Sequence, residues 1–165
     1  MKEISKTVEA LKPSGIRRFF DLANTMEGVI SLGVGEPDFS TPWHVCEEAI
    51  QSMADGRTHY TANKGLLELR EEIAKFHSEH YNQNYDPKTE ILVTVGGSEA
   101  IDLSMRALLN PGDEVIVMDP NYVAYEPAIR PAGGVCVPIV LTRENEFKLK
   151  ADDLKKAITD KTKAM

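Results

Sequence analysis

At 165 residues with 42% hydrophobic side chains, the chain is long enough for one domain with a sizeable core and has an ordinary globular composition. Its 26 acidic against 19 basic residues leave a net charge of -7, which argues against non-specific binding to nucleic acid or to an anionic membrane. No apolar run approaches a membrane span, Met1-Lys2-Glu3-Ile4 leads into no secretory segment, and Cys46 and Cys136 form no Cys-x-x-Cys pair, so a reduced, cytoplasmic chain is expected. A short amphipathic helix is predicted over Ile16–Ala23, after Pro13-Ser14-Gly15. Val29–Leu32 reads as a short strand that breaks at Gly33-Val34-Gly35-Glu36-Pro37-Asp38-Phe39, an irregular loop. Trp43–Met53 then runs helical with Val45, Ala49, Ile50 and Met53 as its apolar stripe, and another helix follows Gly65 with Leu66, Leu69, Ile73 and Phe76 on one face.

From residue 90 onward strands and helices alternate. A buried strand is predicted at Ile91–Val95 and a helix at Ser98–Leu109, stopped by Asn110-Pro111-Gly112-Asp113. Strand Glu114–Met118, a helix from Tyr122 to Arg130, strand Val135–Val140 and a helix at Asp152–Ile158 follow, and a further strand is expected to begin at Lys163-Ala164-Met165. Alternating βαβ units mean a mainly parallel sheet covered by helices. Ending where a strand should start, the chain reads as a fragment with an incomplete fold, and an open sheet edge predicts self-association of the isolated piece.

The most informative stretch is Thr94-Val95-Gly96-Gly97-Ser98-Glu99-Ala100-Ile101. Paired glycines let the backbone turn sharply and approach a ligand without obstruction by Cβ. Ser98 stands where a helix cap belongs, and Ile101, Met105 and Leu108 then recur at helical spacing. Free N–H groups at such a helix start favour an anion by roughly 0.3–2 kcal/mol. The same residues also suit a tight strand-to-helix connection with no ligand.

Four segments, taken in order, carry a family resemblance: Ser31 to Phe39; Tyr60-Thr61-Ala62-Asn63-Lys64-Gly65 continuing to Leu69-Arg70; Val95 to Ile101; and Asp119-Pro120-Asn121-Tyr122-Val123-Ala124-Tyr125. At these separations residues 14–165 resemble the N-terminal part of a class I pyridoxal-phosphate-dependent aminotransferase of fold type I, in the bacterial aspartate and aromatic branch. The resemblance implies an N-terminal arm and small-domain segment over residues 1–42 and the first part of the large cofactor-binding domain over 43–165. It implies pyridoxal 5'-phosphate as cofactor, with Gly97 and Ser98 at the phosphate and Tyr122 stacked on the ring. By the same likeness, Tyr60 reaches the phosphate of the neighbouring subunit in a homodimer with shared sites. Gly35 then faces the substrate carboxylate, and Ile16 lies in the segment that covers the site as it closes. The implied substrates are an amino acid and a 2-oxo acid.

The Schiff-base lysine of that family stands in a Ser-x-x-x-Lys context, and no serine here is followed four residues later by lysine. The covalent anchor is therefore expected beyond Met165, and the 165-residue piece to be inactive by itself. Two other readings keep the fold: a pyridoxal-phosphate-dependent carbon–sulfur lyase, and a non-catalytic aminotransferase-like binding module. Gly33-Val34-Gly35 lacks the third glycine of a dinucleotide loop, and His77-Ser78-Glu79-His80, near a helix end, reads as a solvated face and not as a metal site.

Overall fold

The computed structural model describes residues 3–11, 15–30, 35 and 37–165. These group into two units, one spanning Gly15–Val93 and one joining Met1–Ser14 to Thr94–Met165.

In the Gly15–Val93 unit, α2 (Ile16–Asn24), α3 (Trp43–Ala54) and α4 (Leu67–Tyr81) carry the regular structure. Helix α4 ends where Asn82 adopts the left-handed conformation, φ 53°, and the N–H groups beyond the last turn close on the carbonyls of His77 and Ser78. Asparagine tolerates that conformation, so the sequence itself supplies the stop. Val29 and Ile30 have no regular structure, while Ser31 and Leu32 lie outside the described residues, so the short strand expected there is not seen in its described half.

The other unit holds the sheet. After the one-turn helix α1 (Lys6–Glu9) come α5 (Gly97–Leu108), β1 (Glu114–Asp119), α6 (Tyr125–Ile129), β2 (Val135–Val140), α7 (Ala151–Ala157) and β3 (Thr162–Ala164), with a 3₁₀ turn at Arg143–Asn145. The strands lie in the order β2-β1-β3 and all pair in parallel, with Glu114 opposite Val135 and Thr162. Central β1 is the most buried: Val115 and Ile116 are closed off on opposite faces of the pleat. Val115 packs with Leu109 and Ile129, and Met105, Val117, Ala132 and Cys136 surround them.

Two expectations need correction. Ile91–Val95 is not a strand, and within it Leu92 and Val95 are exposed while Ile91, Val93 and Thr94 are half-buried. A strand is defined by its ladder, and this segment pairs with none of β1, β2 and β3; among the described residues its backbone bond to another segment runs from Val93 N–H to the Lys64 carbonyl at 3.0 Å. The helix expected from Tyr122 starts only at Tyr125. Pro127 explains the delay: it has no N–H to give, and a helix begun at Tyr122 would place it where an interior bond is required. Beginning at Tyr125 keeps it in the first turn, where donors are unpaired anyway.

Candidate functional site

The site grows from the start of α5. Gly96 takes φ +84°, a left-handed conformation that glycine adopts without strain, and turns the chain into the helix. Around Gly97 there is open space, with no atom within 4 Å of where a Cβ would stand. Among the described residues, no backbone acceptor takes the N–H groups of Gly97 and Ser98. Helix α5 is three turns long, so its dipole stands behind those amides. The Glu99 carboxylate folds back to accept the Val95 N–H. It thereby complements the helix dipole while leaving the two amides before it free.

The second half of the site follows the carboxyl end of β1. Open parallel sheets offer ligand sites beyond the carboxyl ends of their strands, and the run Pro120-Asn121-Tyr122 leaves β1 at that point. The hydroxyls of Tyr122 and Ser98 lie 3.0 Å apart, in hydrogen-bond contact across 24 residues of sequence. Tyr125 meets Tyr122 edge-to-face with ring centroids 5.8 Å apart, and its N–H donates to the Tyr122 carbonyl at 3.1 Å. Those contacts fix the Tyr122 ring while leaving half of it exposed. A cavity of about 570 Å³ runs under it between α5, β1 and β3, lined by Ile101, Met105, Val117, Tyr122, Tyr125 and Met165 among others. Gly97 and Ser98 do not line that cavity; of the six residues singled out from sequence, only Tyr122 does.

Gly97, Ser98 and Tyr122 are thus gathered in one unit. Tyr60 and Gly35 belong to the other, both in irregular, exposed segments, and Gly35 also has open space where a Cβ would stand. Ile16 opens α2, and its side chain lies outside the described residues. Tyr125 stands in the fourth motif but has no role read for it from sequence, although the Tyr-x-x-Tyr spacing at 122 and 125 could have pointed to the paired rings. Arg70, standing at the end of the second motif and on the Leu66, Leu69, Ile73, Phe76 stripe, likewise has no role read for it, and the Glu99 bond to Val95 is not foreseen. No group of three or more potential metal ligands occurs among the described residues, and no described helix is long and apolar enough to cross a membrane.

Comparison with known proteins places this geometry in context. The family model for aminotransferase class I and II matches residues 27–165. A putative aminotransferase, YugH, of Bacillus subtilis is 52% identical over 162 residues, covering 98% of this chain and 42% of that protein. Aromatic-amino-acid aminotransferase 2 of Thermococcus litoralis is 44% identical over the same length and with the same coverage. Among solved structures, aspartate aminotransferase from Thermus thermophilus with maleate superposes with a TM-score of 0.88 at 38% identity, over 98% of this chain and 43% of that one. The chain therefore spans about 42% of the length of the curated relatives it matches.

Proposed function

This chain belongs to the aminotransferase class I and II family, and from that membership we propose that a protein carrying it moves an amino group from an amino acid to a 2-oxo acid with pyridoxal 5'-phosphate. Its parallel sheet and helices are part of a fold type I architecture. The carrying observation is the 3.0 Å contact between the Ser98 and Tyr122 hydroxyls at the open start of α5. A phosphate dianion requires several donors and little bulk. The Gly97 and Ser98 amides, the Ser98 hydroxyl and the space at Gly97 suit that requirement. Tyr122, braced by Tyr125, presents a fixed aromatic face beside the phosphate donors and so orients a planar ring.

When bound, the cofactor supplies the electron sink for amino-group exchange. This chain's own part is to grip the phosphate and set the ring plane, so that the reacting carbon is presented in one orientation. Tyr60 is assigned to the phosphate of the neighbouring subunit in a homodimer, and Gly35 and Ile16 to the substrate side. Residues 1–42 are assigned to the arm and small domain, and 43–165 to the cofactor-binding domain. The anchoring lysine is assigned to a segment outside residues 1–165, since no Ser-x-x-x-Lys occurs within them.

Two measurements test this reading. In the full-length protein, an amino donor together with a 2-oxo acid acceptor should yield the exchanged pair, with no product in the absence of acceptor. Pyruvate and ammonia released without acceptor would instead mark an eliminating lyase. On the 165-residue chain, borohydride reduction with pyridoxal 5'-phosphate should fix no pyridoxyl group on a single lysine; one such adduct would overturn the assignment of the anchor elsewhere.

A further inference from the structure

Helix α4 buries a cation. Arg70 is 6% exposed, and among the described residues no carboxylate lies within ion-pair distance of it. Its Nη1 donates to the Pro87 carbonyl at 2.5 Å and, at 3.5 Å, to that of Lys88. Its Nε is buried without an acceptor among the described residues. A leucine or methionine would fill this position on the apolar stripe with no orphaned donor, so stability alone gives a poor account of the arginine. What the guanidinium does provide is direction: it fixes where two carbonyl groups stand.

Those carbonyls lead to the Tyr60–Gly65 loop. The Lys88 carbonyl also accepts from Lys64 Nζ at 3.1 Å, and the Lys64 carbonyl accepts the Val93 N–H at 3.0 Å. Next to it, Gly65 turns with φ +90° so close to Val93 that a Cβ would stand 2.7 Å from the valine Cβ. The Gly65 N–H closes the turn onto the Ala62 carbonyl at 2.8 Å. The loop bearing Tyr60 is therefore pinned through the 86–93 segment, whose one buried charged anchor among the described residues is Arg70.

We infer that Arg70 is a positioning residue. By clamping the carbonyls of Pro87 and Lys88 it holds the Lys64–Gly65 turn, and hence Tyr60, where Tyr60 can reach a cofactor phosphate. The last step rests on the role proposed above for Tyr60. The test uses the full-length protein with Arg70→Met, Tyr60→Phe and the double variant. In the cofactor-free protein, Arg70→Met should speed exchange of the Gly65 and Val93 amides about tenfold while leaving amides within α5 unchanged. It should also weaken equilibrium binding of pyridoxal 5'-phosphate several-fold, with little added loss in the double variant because both changes act on one contact. Unchanged exchange at Gly65 and Val93 overturns the clamp. Faster exchange with unaltered cofactor binding, where Tyr60→Phe does weaken binding, overturns the link from clamp to site. If Tyr60→Phe itself has no effect, the failure belongs to the role of Tyr60, and the exchange data alone decide the clamp. Should Arg70→Met not fold, Lys64→Met removes the exposed tether to the Lys88 carbonyl. It should speed the same two amides, and unchanged rates there would equally overturn the proposal.

Discussion

Gly97 and Gly134 show how differently two glycines can be constrained. At Gly134 a Cβ would stand 2.7 Å from Leu109 Cδ1 and 2.9 Å from Ile129 Cγ2, inside the core. Gly134→Ala should therefore destabilise the protein by about 1–3 kcal/mol, read from its urea midpoint. At Gly97 nothing stands in the way, and the residue is already helical. Gly97→Ala should leave stability unchanged or raise it by up to about 1 kcal/mol, yet weaken pyridoxal 5'-phosphate binding in the full-length protein. A parallel loss at both positions would remove the argument that Gly97 is kept open for a ligand. Tyr122→Phe separates ring from hydroxyl in the same way: it keeps the ring proposed to stack on the cofactor and loses the bond to Ser98, so cofactor binding should fall by less than in Tyr122→Ala. Cys136, by contrast, is a packing residue. Burial pushes its thiol above the ordinary value, so it should react with iodoacetamide more slowly than a free cysteine at the same pH.

Among the elements, the short α6 depends on its core contact more than on its surface charges. Ile129 is almost fully enclosed between Leu109 and Val115, whereas the Glu126–Arg130 pair on the same helix is half in water. Ile129→Ala should cost about 2–5 kcal/mol, and Glu126→Gln less than about 1 kcal/mol. The 86–90 turn has its own pH dependence. The Thr89 hydroxyl, and after it the Lys88 N–H, hold the Asp86 carboxyl below its ordinary value of 3.8. Since the folded value is the lower one, this contribution is complete above that ordinary value and is lost as pH falls through the folded value. Protection of the Lys88 and Glu90 amides should drop in acid in the native protein and show no such step in Asp86→Asn.

For the whole molecule, the exposed surface is the decisive feature. Phe39, Val95 and Val140 are 85%, 91% and 67% exposed, and β2 and β3 leave outer edges on the sheet. The isolated 165-residue chain should therefore self-associate at about ten micromolar and above in light scattering, and a clean monomer would count against this. In the full-length protein, the shared-site arrangement proposed for Tyr60 predicts complementation. Mixed dimers of Tyr60→Phe and Ser98→Ala subunits should regain one site of native cofactor affinity, which neither variant has alone.

Local chemistry made much of this legible in advance. The apolar spacing of α4 and α5 and the β-branched runs of β1 and β2 are set by residues close in sequence, so periodicity reveals them, while the four ordered motifs are legible as a family resemblance. Other features arise only when distant residues meet. Ile91–Val95 has the composition of a strand but pairs with none of β1, β2 and β3, because pairing is a property of neighbours in space and not of composition. The Ser98–Tyr122 bond and the burial of Arg70 against the 87–88 carbonyls likewise join segments that sequence spacing leaves unrelated. The sequence thus determined which elements form and which family they belong to, while tertiary structure decided which polar groups find partners, since a hydrogen bond depends on distance in space.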